Sequence, residues 1–222
     1  MLSNLDLIRR VPLFALVTAS QAEALADSVS KQRFKRGEAI VAQGEVSNAL
    51  YVILSGRARV LMTDKKGREV ILATLQVGDY IGEMSLIDNE AHSATVFAEA
   101  MTDVLVLARE PFLRCLSENA SMAQAVMRGL VKRLRSADQK IGSLALTGVY
   151  ERVATVLIEA TVLGSDGGRV LREKITRQDL AKMVGASREM VSRVMKDFEE
   201  QGFIETDEEG VVHVHERRMK PR

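Results

Sequence analysis

The sequence of 222 residues predicts an α+β fold, with a β-barrel first, a long helix next and a winged helix-turn-helix last. Short β-branched runs separated by glycines fill positions 33 to 108. An uninterrupted helical pattern follows at 121–146. Residues 175–200 then place small, glycine and apolar positions at the spacing of two helices joined by a tight turn.

The first 30 residues have a helical pattern that Pro12 interrupts within LIRRVPLFALV. Ser20, with Glu23 three residues later, matches a capping box. We therefore predict a helix that begins at Ser20.

The barrel is predicted from six apolar runs between recurring glycines, namely EAIVA, ALYVIL, RARVLM, REVILATL, SATVFAEA and DVLVLA. In RARVLM, Arg57 and Arg59 alternate with Ala58 and Val60, which predicts opposite faces of one strand. DKKGRE is a hairpin turn in which Gly67 supplies a positive φ. Strands of this kind indicate an all-β barrel or sandwich.

From position 110 the pattern is helical. EPFLRCLSEN predicts a short helix with Pro111 in its first turn. It holds the single cysteine, Cys115, which can form neither an internal disulfide nor an iron–sulfur cluster by itself. We expect a buried thiol.

A long helix is predicted over 121–146, with a coiled-coil-like apolar seam. Its members are spaced 4, 4, 3, 4 and 3 residues apart: Val126, Leu130, Leu134, Ala137, Ile141 and Leu144. The seam favours a homodimer. The alternative is a helix packed on its own β domain.

We predict three regions: a sensor domain at 1–109, the short and long helices at 110–146, and a DNA-binding domain at 147–222. LTGVYER (146–152) is a hinge, a helix follows through Leu163, and GSDGG (164–168) is a turn. At the C-terminal side, GFIETDEEGVVHVHE predicts two short strands around an acidic turn at 207–210. His213 and His215 share one strand face there, and packing explains them better than a metal.

The helix-turn-helix has Ala181 where the helices touch and Gly185 in the turn. Thr176 and Ser187 can cap its two helices. The inner face consists of four apolar residues: Leu180, Val184, Val191 and Val194.

The second helix then points a charged face outward, which suits the major groove of double-stranded DNA. Arg188 and Arg193 can each donate to guanine O6 and N7, and Glu189 can accept from cytosine N4. The residues predicted to hold the DNA backbone are Thr176, Arg177, Gln178, Ser187, Ser192 and Lys196. The alternative for each charge is a solvated helix face. The net charge of +1 means that DNA contact must come from a local patch.

The sequence lacks an apolar run of membrane-spanning length and a signal peptide, so we expect a cytoplasmic protein with no membrane partner.

Together, ITRQDLAKMVGASREMVSRVMK, GDYIGEMSL and the HSA triplet resemble the cAMP receptor protein/FNR superfamily of bacterial transcription factors, over positions 14 to 214. The resemblance implies a barrel of the cyclic-nucleotide-binding type (a double-stranded β-helix or jelly roll), a long dimerisation helix and a winged helix-turn-helix. It also implies a non-enzymatic homodimer that reads a TGTGA-like palindrome and contacts RNA polymerase.

The same resemblance assigns a ligand cassette. Gly82 offers its backbone N–H, Glu83 accepts a ribose hydroxyl, and Ser93 and Ala94 contact phosphate. His92 stands where cAMP-binding members have arginine, which is always charged. A Thr-Ser pair that reaches adenine in those members is replaced by Ala137 and Asp138.

Arg135 and Asp138 lie three residues apart, so they share a helix face. This Arg-x-x-Asp pair resembles motifs that bind cyclic di-GMP. We therefore favour cyclic di-GMP over cAMP, although an ordinary salt bridge or a pocket without a nucleotide also fits the pair. We expect no metal, haem or iron–sulfur cluster. A regulatory module of a kinase or channel is disfavoured by the helix-turn-helix, and a cupin-like metal enzyme by the single barrel histidine.

Overall fold

The computed structural model describes residues 3–164, 168–207 and 211–215. The chain forms two compact units, Met1–Ser136 and Ala137–Arg222. The division falls within the long helix. The three regions predicted from the sequence, with limits at 109 and 146, stay predictions.

The first unit begins with helices α1 (Asn4–Arg10) and α2 (Ala19–Asp27), separated by a 3-10 turn at Pro12–Phe14. The capping box predicted at Ser20 and Glu23 is wrong. Thr18 is the N-cap, and its hydroxyl accepts from the Gln21 backbone N–H. The reason is that Thr18 has the extended backbone that a cap requires, whereas Ser20 is already inside the helix.

Eight strands form two four-stranded antiparallel sheets, in the orders β1-β8-β3-β6 and β2-β7-β4-β5. Their bounds are β1 (Val29–Phe34), β2 (Ala39–Val41), β3 (Ala49–Ser55), β4 (Ala58–Thr63), β5 (Glu69–Leu75), β6 (Tyr80–Ile81), β7 (Thr95–Ala98) and β8 (Thr102–Ala108). Two strands were not predicted from the sequence: β1, whose four central residues are exposed, and the two-residue β6.

Strand β4 only partly keeps the predicted alternation. Ala58 is fully buried, but a bulge between Val60 and Leu61 shifts the pattern, so that Leu61 is buried and Val60 is half-buried. Gly67 has the predicted positive φ, at 76°.

Three helices complete the first unit: α3 (Glu83–Asp88), α4 (Arg109–Glu118) and the start of α5 (Ala120–Leu146). Cys115 is buried in α4, as predicted, and burial raises the pKa of its thiol.

Helix α5 exposes only the later part of the predicted seam, namely Leu134, Ala137, Ile141 and Leu144. Val126 is only 2% exposed and Leu130 is half-buried, because both pack against the apolar core of their own unit. Val126 is therefore not available to a second copy, and the alternative of a helix packed on its own β domain holds for these turns. The large apolar side chains that α5 exposes are Met127, Val131, Leu134, Ile141, Leu144 and Leu146; Ala137 is exposed as well.

The second unit contains helices α6 (Val149–Glu159), α7 (Arg177–Val184) and α8 (Arg188–Glu200). Four short strands form a sheet in the order β11-β12-β10-β9. They are β9 (Thr161–Leu163), β10 (Arg169–Leu171), β11 (Ile204–Thr206) and β12 (Val212–Val214).

The helix predicted to continue through Leu163 ends at Glu159, because Thr161–Leu163 pairs with β10 instead. The predicted turns at 164–168 and 207–210 lie partly outside the described residues, which lack 165–167 and 208–210. The predicted α+β class is confirmed: a strand sandwich, a long helix and a winged helix-turn-helix.

Candidate nucleic-acid interface and sensor cassette

The helix-turn-helix of α7 and α8 is closed by two caps and a glycine turn. Thr176 accepts from the Asp179 N–H, and Ser187 accepts from the Met190 N–H, as predicted. Gly185 ends α7 in the left-handed region, with φ 62°. The turn therefore fixes the direction in which α8 leaves α7.

The inner face of this motif is apolar and buried. All the predicted members are buried, namely Leu180, Ala181, Val184, Val191 and Val194. The Phe198 ring extends this core, with its centroid 4.5 Å from that of Tyr150 and 4.6 Å from that of Phe203. This packing holds α8 in place by its apolar side and leaves the opposite side open.

The open side of α8 carries Arg188, Glu189 and Arg193, and all three side chains are exposed. A hydrogen bond from its own backbone N–H, and a second from the Ser187 hydroxyl, lower the pKa of Glu189. The carboxylate is therefore ionised at neutral pH and can accept a hydrogen bond from a base edge.

Several of the residues predicted to hold phosphates already have partners within the unit. Arg177 donates to the Ser192 carbonyl at 3.2 Å and to Glu199 at 3.3 Å. Lys196 lies 3.6 Å from Glu200. Gln178 is exposed. A phosphate would therefore compete with acidic side chains for two of these cations.

The two wing histidines face different carboxylates. His213 lies 3.1 Å from Asp207, and His215 lies 3.4 Å from Glu205. Among the described residues, no group of three or more His, Cys, Asp or Glu side chains could hold a metal ion.

The predicted ligand cassette (the sensor cassette) consists of Gly82, Glu83, His92, Ser93 and Ala94. Its first residue, Gly82, has φ 95° and comes immediately before α3. A Cβ at this position would lie 2.8 Å from the Ala49 carbonyl oxygen. Only glycine fits both the backbone conformation and this close approach.

Glu83 follows and is 1% exposed. Its Oε1 accepts from Arg133 of α5 at 2.5 Å, and Arg133 also donates to the Tyr80 carbonyl. Glu83 Oε2 has no hydrogen-bond partner in the described part of the chain. Burial raises the pKa of Glu83, and the nearby Arg133 opposes this shift. A buried carboxylate with one unsatisfied oxygen destabilises a fold, which indicates a functional role.

Arg133 is the cassette residue that sequence reasoning missed. It lies 50 residues after Glu83, in a run of basic residues (KRLR) where no local signal separates it from its neighbours.

His92 is buried, and its Nε2 lies 2.8 Å from the Ser47 hydroxyl, a second partner that the sequence did not reveal. Burial lowers the pKa of His92, so its ring is neutral at pH 7. Ala94 is buried and Ser93 is exposed. The position of His92 thus holds a neutral ring that is hydrogen-bonded to Ser47 and carries no fixed positive charge.

Arg135, Ala137 and Asp138 are exposed on α5, and Arg135 and Asp138 are about one turn apart. In the described part of the chain, no helix is both long enough and apolar enough to span a membrane.

Two family models match this chain. One is described as a cyclic nucleotide-binding domain and covers residues 31–119; the other is a Crp-like helix-turn-helix domain and covers residues 151–219.

Curated relatives match over most of their length. The chain is 27% identical over 220 residues to a CRP-like cAMP-activated global transcriptional regulator of Mycobacterium tuberculosis, covering 98% of both chains. It is 33% identical over 171 residues to the cAMP-activated global transcriptional regulator CRP of Salmonella typhimurium, covering 74% of this chain and 80% of that one.

Among solved structures, the c-di-GMP responsive global regulator CLP of Xanthomonas campestris matches with a TM-score of 0.78. It is 24% identical, and the match covers 89% of this chain and all of that one. At this identity the likeness establishes the fold alone.

Proposed function

The chain belongs to the CRP family of DNA-binding transcription regulators, and we propose that it acts as a homodimer that reads a TGTGA-like palindrome under the control of cyclic di-GMP. The observation that carries the DNA assignment is the exposed triad Arg188, Glu189 and Arg193 on the capped helix α8. These residues stand in the first two turns of the helix, the part that meets base edges when such a helix enters the major groove.

Sequence discrimination follows from the chemistry of the triad. Each arginine can donate two parallel hydrogen bonds to one guanine, and Glu189 can accept from cytosine on the opposite strand. The backbone set (Thr176, Arg177, Gln178, Ser187, Ser192 and Lys196) would fix the register on the duplex.

The exposed face of α5 supports the homodimer. Met127, Val131 and Leu134 are at least half exposed and are spaced 4 and 3 residues apart. Asp138 and Ile141 continue the same 4-3 spacing, which is the spacing of a two-helix seam. In a dimer through this face, Asp138 would lie at the contact between the two copies.

The cassette fits a sugar hydroxyl. Glu83 Oε2 is buried and unsatisfied, so a hydroxyl that donates to it would remove the cost of that orphan oxygen. Gly82 lets the chain enter α3 immediately before Glu83. The ribose of a cyclic nucleotide fits Glu83 well. Its phosphate fits His92 less well, because a neutral imidazole holds a phosphate more weakly than an arginine does.

The choice of cyclic di-GMP rests on α5. Arg135 can donate to guanine O6 and N7, while Asp138 accepts from N1 and N2. Both side chains are exposed in the single chain, so in the proposed dimer a nucleotide would meet Asp138 at the contact between the two copies. Asp138→Ala should therefore lose about tenfold or more in affinity for cyclic di-GMP, since it removes two charge-assisted hydrogen bonds. Asp27→Ala, which replaces an exposed aspartate at the end of α2, is the matched control.

A second candidate is an ordinary cAMP-dependent regulator. It is favoured by the relatives described as cAMP-activated regulators, and the buried Glu83 would serve the ribose of either nucleotide. We expect RNA polymerase as a further partner and no catalytic activity.

Calorimetry of the purified protein against cAMP, cyclic GMP and cyclic di-GMP separates these candidates. The proposal is supported if cyclic di-GMP gives a heat of binding with the wild type and none with Asp138→Ala. Binding of cAMP alone supports the second candidate, and binding of none of the three indicates a cassette that no longer takes a nucleotide. Footprinting on a TGTGA-like palindrome tests DNA reading independently of any ligand.

A further inference from the structure

Tyr80 lies between the sensor cassette and α5, and it touches both. It is the first residue of β6, which leads through Gly82 directly into Glu83. Its phenol oxygen lies 3.4 Å from the Val126 carbonyl oxygen on α5. Only Ile81 and Gly82 separate Tyr80 from Glu83, so a shift of the Tyr80 backbone is passed directly to the cassette.

The ring rests on a helical glycine. A Cβ at Gly129 would overlap the Tyr80 phenol oxygen and would lie 3.0 Å from Cζ. Glycine destabilises the interior of a helix relative to alanine. Its presence here is explained by the close approach that it allows between the ring and the α5 backbone.

Arg133 closes the other side of the ring. It lies one turn beyond Gly129, with its guanidinium carbon 5.1 Å from the ring centroid. The same guanidinium donates to the Tyr80 carbonyl and to Glu83. The ring is thus held from two sides by α5, and the carboxylate proposed to bind the ligand shares one of those contacts.

We propose that Tyr80, seated on Gly129, is the positioning residue that couples occupancy of the nucleotide site to the placement of α5. A ligand hydroxyl that donates to Glu83 changes the hydrogen bond between this carboxylate and Arg133. Arg133 in turn bears on the Tyr80 ring and its carbonyl, so the arrangement with ligand and the one without it place the ring, and hence the helix, differently. This coupling rests on the proposed nucleotide-binding function.

The test uses one substitution at two glycines of the same helix. Gly129→Ala puts a methyl group into the Tyr80 ring, whereas Gly142→Ala meets nothing within 4 Å. Both exchanges raise helix propensity equally, so the difference between the two variants isolates the contact.

The first readout is amide hydrogen exchange of the full chain without ligand. Gly129→Ala should speed amide exchange by about tenfold, as is usual when an extra methyl group is forced into a packed site. The faster exchange should occur both in residues 120–136 and in residues 80–88, which contain Tyr80 and the first residues of the cassette. Gly142→Ala should leave both segments as in the wild type. Faster exchange confined to α5 would overturn the coupling.

The second readout separates coupling from simple structural support. With cAMP and cyclic di-GMP as probes, Gly129→Ala should still bind whichever nucleotide the wild type binds, with affinity within about tenfold, because Glu83 and its unsatisfied oxygen are retained. The ratio of DNA affinity with and without that nucleotide should fall toward one. A ratio equal to that of the wild type would overturn the proposal.

The double variant Y80F/G129A removes the phenol oxygen from the overlap and should recover part of the ratio, while Tyr80→Phe alone should keep most of it. A double variant no better than Gly129→Ala would also overturn the proposal. If the wild type binds neither nucleotide, the proposed ligand fails, and the exchange comparison alone decides the coupling.

Discussion

The helix-turn-helix and the sensor cassette treat charge in opposite ways. On α8, Arg188, Glu189 and Arg193 are exposed, and apolar residues fill the inner side. In the cassette, Glu83 and His92 are themselves buried. A surface that meets a large polyanion keeps its charges in water until contact. A pocket for a small ligand holds its polar groups ready and bears the desolvation cost in advance.

The largest effect is expected when the exposed charged face of α8 is altered by Arg188→Ala or Arg193→Ala. Each variant should lose about 5- to 150-fold in affinity for each half-site of the palindrome, because a bidentate arginine–guanine contact contributes about 1 to 3 kcal/mol. Fluorescence anisotropy with labelled DNA measures the loss, and sedimentation checks that the oligomeric state is unchanged. Arg114→Ala, an exposed arginine of α4, is the control and should bind normally. An unaltered footprint of either variant would refute the recognition assignment.

The buried half is tested by Glu83→Ala. Nucleotide affinity should fall about tenfold or more, since the variant removes the proposed hydroxyl acceptor and leaves Arg133 without its carboxylate partner. Calorimetry measures this loss. Glu90→Ala removes an exposed carboxylate a few residues away and should bind as the wild type does. Equal affinities of the two variants would show that the burial of Glu83 has no role in binding.

A smaller effect, on stability, is expected when the Ser187 cap at the start of α8 is removed. Ser187→Ala should destabilise the second unit by about 1 kcal/mol, because the Met190 N–H loses its acceptor. For a unit of this size the thermal midpoint should fall by about 4 to 8 °C. Thr155→Ala on α6 exchanges an exposed mid-helix hydroxyl, and its midpoint should not fall.

The smallest effect concerns the pH dependence of stability. Burial lowers the pKa of His92 in the folded state, so the unfolded chain binds more protons just below the usual value of 6.5. The contribution of His92 to stability is therefore present above pH 6.5 and is lost as pH falls through the lowered folded pKa. The free energy of unfolding of His92→Gln, measured in denaturant, should fall less than that of the wild type as the pH is lowered. His213→Gln is the matched control. A profile identical to that of the wild type would place His92 in a more solvated site than its burial indicates.

The same contrast explains what could be predicted from sequence. The caps, turn and inner face of α7 and α8 depend on contacts between near neighbours in the chain, so residue spacing was sufficient to predict them. The cassette depends on Arg133 and Ser47, which lie 50 residues after Glu83 and 45 residues before His92. No local pattern identifies such partners. The seam position predicted at Val126 failed for a related reason, since periodicity shows that a face is apolar but not which surface covers it.

Helix α5 is a single rod of 27 residues, about 40 Å long at a rise of 1.5 Å per residue. From Gly129 to the last residue, Leu146, the rod measures about 26 Å. A tilt of about 8° around Gly129 would therefore displace the far end by about 3.6 Å, close to the 3.4 Å rise of one base pair in DNA. In the proposed coupling, the length of the helix alone would therefore enlarge a small rearrangement at Tyr80 to a step comparable with the spacing of bases.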